Sequence, residues 1–180
     1  MPTTTPSPNL LPAATAMDAV TLHVRDVDAM VTFYTHVIGL TVLHSDNSTS
    51  TARDQRPGVY TLGHETTPIV VLRHTPDLPA AHPGQAGLFH TAILYPTQHD
   101  LGDTPQAASV SAASVGHVHL QVGDTNAAAQ FYSQALGFEP TAQVPGALFV
   151  AAGGYHHHNG AALIFHDPWN NSLAVTATDN

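Results

Sequence analysis

Apolar and polar positions repeat along this chain in two stretches whose residues match at an offset of 98: Leu22–Leu40, LHVRDVDAMVTFYTHVIGL, and Leu120–Phe138, LQVGDTNAAAQFYSQALGF. Identities fall at Leu22/Leu120, Val24/Val122, Asp26/Asp124, Ala29/Ala127, Phe33/Phe131, Tyr34/Tyr132 and Gly39/Gly137. In each copy an alternating segment runs up to an aspartate. Apolar residues then follow at Met30, Phe33, Tyr34, Val37 and Ile38, and at Ala128, Phe131, Tyr132, Ala135 and Leu136. That i, i+3, i+4, i+7, i+8 spacing predicts a helix with one apolar stripe laid on a sheet. The aspartate is placed to accept a free N–H at the helix start. The glycine closes the helix where a left-handed residue is favoured. Both Phe-Tyr pairs are expected in the core.

Alternating runs at Thr41–His44, Val59–Gly63 and Ile69–His74 follow the first helix, separated by polar or Pro/Gly-rich stretches. Residues 17–77 therefore read as one β-α-β-β-β module. Residues 86–114 read as an extra strand, GLFHTAILYP, plus an Ala/Ser-rich linker. Residues 115–180 read as a second such module, with strands at Gly116–Val122, Phe138–Val144, Ala147–Ala152, Ala161–His166 and Ser172–Ala177. The last two are joined by an Asp167-Pro168-Trp169-Asn170-Asn171 turn. The fold class expected is α+β, built from paired β-α-β-β-β modules. Residues 1–16, rich in Pro and Thr, read as a disordered leader.

Composition narrows the function. The 180 residues are 43% hydrophobic and 9% charged, so a core can form. The net charge is −9, and the only cations besides histidine are Arg25, Arg53, Arg56 and Arg73. No basic patch for nucleic acid or an anionic membrane can be assembled from these. The absence of cysteine excludes disulfides, thiolate catalysis and thiolate metal sites. No apolar run approaches the roughly 20 residues that span a bilayer, and the N-terminus lacks the pattern of a signal peptide. A cytoplasmic location is the expectation.

The candidate chemistry lies in the histidines. Tyr155-His156-His157-His158 places three imidazoles in a row. On a strand, His156 and His158 share one face and His157 takes the other, so the triplet is not a complete metal site and needs partners from elsewhere. Without such partners it is a solvated strand end. His117 and His119, two apart, would likewise share a face.

The doubled D-x(6)-FY…G pattern, with GHVHLQV, FVAAGGYHHHNG and GLFHTAILYP, resembles the glyoxalase / bleomycin-resistance / extradiol-dioxygenase (vicinal oxygen chelate) superfamily. It is closest to the catechol-2,3-dioxygenase-like subgroup, in an apparently shortened arrangement. The resemblance implies modules whose curved sheets form an open barrel around a metal or ligand. It implies metal ligands at strand starts, at His117 and His90. It also implies a carboxylate on the last strand, but that position is Ala174, and neither glutamate of the chain (Glu65 in a turn, Glu139 at an edge strand) fits. His157 is the substitute third ligand. Tyr155, His156 and His158 would be catalytic, orienting or deprotonating a catechol hydroxyl. The cofactor implied is Fe(II) or Mn(II), and the partner a small aromatic or dicarbonyl-type substrate. Three alternatives stand beside the dioxygenase: a metal-free binding protein of bleomycin-resistance type, a glyoxalase-like lyase and an inactive shortened relative. Modules could pair within one chain or across a homodimer.

Overall fold

The computed structural model describes residues 10–46, 58–79, 82, 85–95 and 112–154, together with the backbone of strands at 162–166 and 172–177. The element order is β1 (Val20–Val24), α1 (Val27–His36), β2 (Thr41–Asp46), β3 (Val59–His64), β4 (Thr67–His74), β5 (Gly87–Tyr95) and β6 (Ser114–Gln121). Helix α2 (Thr125–Ala129) then runs into a π-helical stretch, Gln130–Ala135, followed by β7 (Glu139–Val144), β8 (Ala147–Ala151), β9 (Ala162–His166) and β10 (Ser172–Ala177). The architecture is α+β with open sheets, as the pattern predicts. No helix among the described residues is long and apolar enough to cross a membrane.

The chain divides into two compact units, Met17–Gln121 with Asn159–Asn180, and Met1–Ala16 with Val122–His158. In the larger unit, the first module forms one sheet of order β1-β4-β3-β2, with β1 parallel to β4 and the other pairs antiparallel. Asp26 caps α1 by accepting from the Ala29 N–H at 3.0 Å, and Gly39 closes it at φ 83°. The helix buries Val27, Met30, Tyr34 and Ile38 against Val24, Leu62, Ile69, Val70 and Leu72 of the sheet. Each fully buried aliphatic side chain in this set contributes about 1.5–3 kcal/mol. Val37, expected in the stripe, is exposed instead. The cause is a wide last turn, in which the Ile38 N–H reaches back to the Phe33 carbonyl and the Leu40 N–H to that of Tyr34.

The second sheet of the larger unit has order β6-β5-β10-β9. β5 is antiparallel to β6 and parallel to β10, and β10 is antiparallel to β9. The opening strand of the first sheet, β1, runs parallel to the last strand of its module. In the second sheet that place belongs to β5, while β6, which repeats the sequence of β1, stands at the edge. Ile93 and Tyr95 of β5, with Ala113 and Val115, join the same core as α1. The buried Tyr95 hydroxyl donates to the Ile38 carbonyl at 3.1 Å, tying β5 to the end of that helix.

The smaller unit keeps the local devices of the repeat. Asp124 accepts from the Asn126 and Ala127 N–H groups at 2.8 and 3.1 Å, and Gly137 has φ 82°. The Leu136 N–H meets the Phe131 carbonyl and the Phe138 N–H that of Tyr132, each bond 98 residues on from its counterpart in α1. Packing differs. Phe131, expected in the core, is 53% exposed, and Leu136 is exposed as well. The unit's only sheet among the described residues is the two-stranded β7-β8 hairpin, too narrow to cover a stripe that four strands cover in the first module. Part of the expected leader is ordered here: the Leu11 N–H donates to the Gly137 carbonyl at 2.8 Å.

Candidate functional site

Strands β5 and β6 pair through His90↔His119, Thr91↔Val118 and Ala92↔His117, and the ladder is interrupted on both sides of this short stretch. Between Leu88/Leu120 and His90/His119 the extra residue is Phe89 of β5. Between Ala92/His117 and Ile93/Val115 it is Gly116 of β6. Such bulges shift which face later residues occupy and re-aim side chains. Their effect here is to keep Leu88, Thr91, Ile93, Val115 and Val118 on the core face. His90, Ala92, His117 and His119 are thereby left together on the opposite face. Glycine is a natural choice at 116, where an unpaired residue must bend the strand.

On that face the imidazoles of His90 and His117 meet, with Nε2 to Nε2 at 2.9 Å and both rings partly buried. Their centroids are 5.1 Å apart and the planes inclined by 70°. His119, which is exposed, sits edge-on to His90 at 4.9 Å. Its ring also lies 4.9 Å from Phe89, itself 49% exposed. Phe89 and His90 are 5.5 Å apart. The result is three imidazoles and one phenyl ring within a few residues of two adjacent strands.

Two kinds of chemistry fit a 2.9 Å Nε2 pair. One ring can donate a hydrogen bond to the other, the tautomers setting which does so. Alternatively, both nitrogens can face one cation. Bonds of 2.0–2.1 Å at a right angle put neighbouring donors about 2.9 Å apart, and at a tetrahedral angle about 3.4 Å. The separation thus matches adjacent positions on one ion, and imidazole suits Fe, Zn, Cu or Ni. Among the described residues no group of three His, Asp or Glu side chains stands ready to hold a metal.

A family model described as the Glyoxalase/Bleomycin resistance protein/Dioxygenase superfamily matches residues 16–109 and 114–175. The chain belongs to this superfamily. A 58-residue segment is 43% identical to a catechol-2,3-dioxygenase of Bacillus subtilis (strain 168), covering 31% of this chain and 20% of that protein. The match thus spans about a fifth of the relative's length. Among solved structures, a glyoxylase/bleomycin resistance protein/dioxygenase domain from Frankia sp. EAN1pec is 17% identical with a TM-score of 0.51, over 92% of this chain and 93% of that one. A glyoxalase/dioxygenase from Nostoc punctiforme is 15% identical with a TM-score of 0.48, over 95% and 97%. At such identity the Frankia structure speaks for the fold alone.

Of the candidate residues in this superfamily member, His90 and His117 are brought together. Tyr155, His156, His157 and His158 lie outside the described residues. Position 174, where the resemblance places a carboxylate, pairs in register with Ala92, which in turn pairs with His117. Ala174 is therefore in the same cross-sheet row as His117, two strands and about 9–10 Å away, and it has no donor atom. Glu65 holds the turn between β3 and β4 with φ 51°, and Glu139 opens β7. His119 and Phe89 were given no role by the sequence pattern. The spacing of His119 from His117 put it on the right face, whereas the Phe89 bulge leaves no mark in the sequence.

Proposed function

We propose that this chain is a metal-dependent dioxygenase of the extradiol type, cleaving the ring of a small catechol-like aromatic substrate in the cytoplasm. The observation that carries the proposal is the 2.9 Å approach of the His90 and His117 Nε2 atoms from adjacent strands. The segment similar to a catechol-2,3-dioxygenase supports the substrate class. His90 and His117, as neutral imidazoles, would hold Fe(II) or Mn(II) through Nε2. The bound ion supplies a Lewis acid with adjacent open positions for two vicinal oxygens and dioxygen. Ala92, in register with His117 and fully buried, keeps bulk away from the floor between the two ligands.

The experiment is incubation of the purified, iron-loaded protein with catechols in air, following the yellow ring-cleavage product. Colour that disappears in His90→Ala and His117→Ala supports the proposal. A second reading, a metal-free binding protein of bleomycin-resistance type, is favoured by one observation: the carboxylate position is Ala174. A protein that takes up no metal yet binds aromatic ligands stoichiometrically would establish that reading instead.

A further inference from the structure

We infer that His119 is the third protein ligand of the metal, so that the site is a three-imidazole set drawn from β5 and β6. This rests on the proposal that His90 and His117 bind a metal, and it goes further by assigning the place that Ala174 leaves without a donor.

Three observations carry it. First, His117 and His119 are separated by one residue on a strand, so their side chains leave the same face with Cα atoms about 6.6–6.8 Å apart. Second, His119 is the direct cross-strand partner of His90. Directly opposed residues hold their Cβ atoms about 4.5–5.5 Å apart, against about 7–8 Å for the diagonal His90–His117 relationship. The diagonal pair already closes to 2.9 Å between Nε2 atoms, so the shorter His90–His119 span lies well within imidazole reach. Third, the two bulges bracket these three histidines and no others. The ladder is thus distorted at the two places that keep all three on one face.

The ring of His119 now rests against Phe89. It is exposed, and an exposed side chain exchanges rotamers in picoseconds to nanoseconds. As ligand, the ring would turn off Phe89 to bring a nitrogen to an ion held between His90 and His117. Three neutral imidazoles plus open positions form a known ligand set for catalytic metals. Such a set leaves the ion its full double charge, which favours an anionic, chelating oxygen substrate. His157, the alternative third ligand from the sequence pattern, is tested in the same experiment.

The test is titration of the full-length apoprotein with Co(II), read by calorimetry and by visible absorption of the bound ion. Wild type, His117→Ala, His119→Ala, His119→Gln and His157→Ala are compared, with apoprotein melting curves checking the fold. The expected result is a loss of affinity of at least about a hundredfold in both His119 variants, since losing a ligand exceeds the 10–100-fold cost of losing its support. The Co(II) band should change shape, while His157→Ala binds like wild type. A similar loss in His157→Ala would overturn the three-imidazole set drawn from β5 and β6. Unchanged affinity and spectrum in either His119 variant would overturn the inference. If His117→Ala binds Co(II) like wild type, it is the proposed metal function that fails. If His117→Ala loses binding and His119→Ala does not, only the role of His119 fails.

Discussion

Nε2 of His90 lies 2.9 Å from Nε2 of His117, although the two residues are 27 apart in sequence and sit diagonally, not directly, across the β5-β6 ladder. The approach depends on the Phe89 and Gly116 bulges, which hold the histidines on the face away from the core while the neighbouring aliphatics stay inside. A pair so arranged works only while at least one imidazole is neutral, and as a metal site only while every ligand is neutral.

Metal binding should therefore compete with protons. Above about pH 7 the affinity is expected to be nearly flat. Below about pH 6, where ordinary imidazoles take up a proton, it should fall roughly tenfold per pH unit for each histidine ligand. Two ligands give a slope near two decades per unit and three a slope near three, read by Co(II) titration across that range. Affinity that does not fall in acid would exclude histidine ligation.

Tyr95 makes a second long-range tie. Its hydroxyl is buried and donates to the Ile38 carbonyl at the end of α1. Tyr95→Phe keeps the ring and leaves that acceptor without this donor, at an expected cost of about 1–3 kcal/mol. Urea denaturation should show a lower midpoint with an unchanged slope. An unchanged midpoint would mean that the bond adds nothing net.

Thr91 is the opposite case. It is 5% exposed on the core face of β5, and among the described residues its hydroxyl has no hydrogen-bond partner. Thr91→Val replaces that hydroxyl with a methyl of similar size. Since an unsatisfied buried hydroxyl costs about 1–3 kcal/mol, the variant should melt a few degrees higher. A lower melting temperature would mean the hydroxyl is satisfied in solution.

The repeat made much of this legible in advance. The Asp26 and Asp124 caps, the left-handed Gly39 and Gly137 and the strand positions all follow from local rules of spacing and capping, which act within a few residues. His90 and His117 were likewise legible as a candidate pair, from strand-start positions in a recognisable pattern. What the pattern could not carry was non-local. That β5 and not β6 pairs parallel with β10 is a long-range choice of strand partner, which local spacing does not encode. That Phe131 is exposed while Phe33 is partly buried depends on how many strands lie beneath each helix. The bulge at Phe89, which sets the surroundings of His119, has no residue preference strong enough to announce it.

Metal analysis of wild type beside His117→Ala tests the central claim most directly. Purified protein reconstituted with Fe(II) or Mn(II) and then desalted should retain about one ion per chain, and the variant less than about a tenth of that. Wild-type protein that retains no ion from either metal, or a variant that retains as much as wild type, would contradict the account.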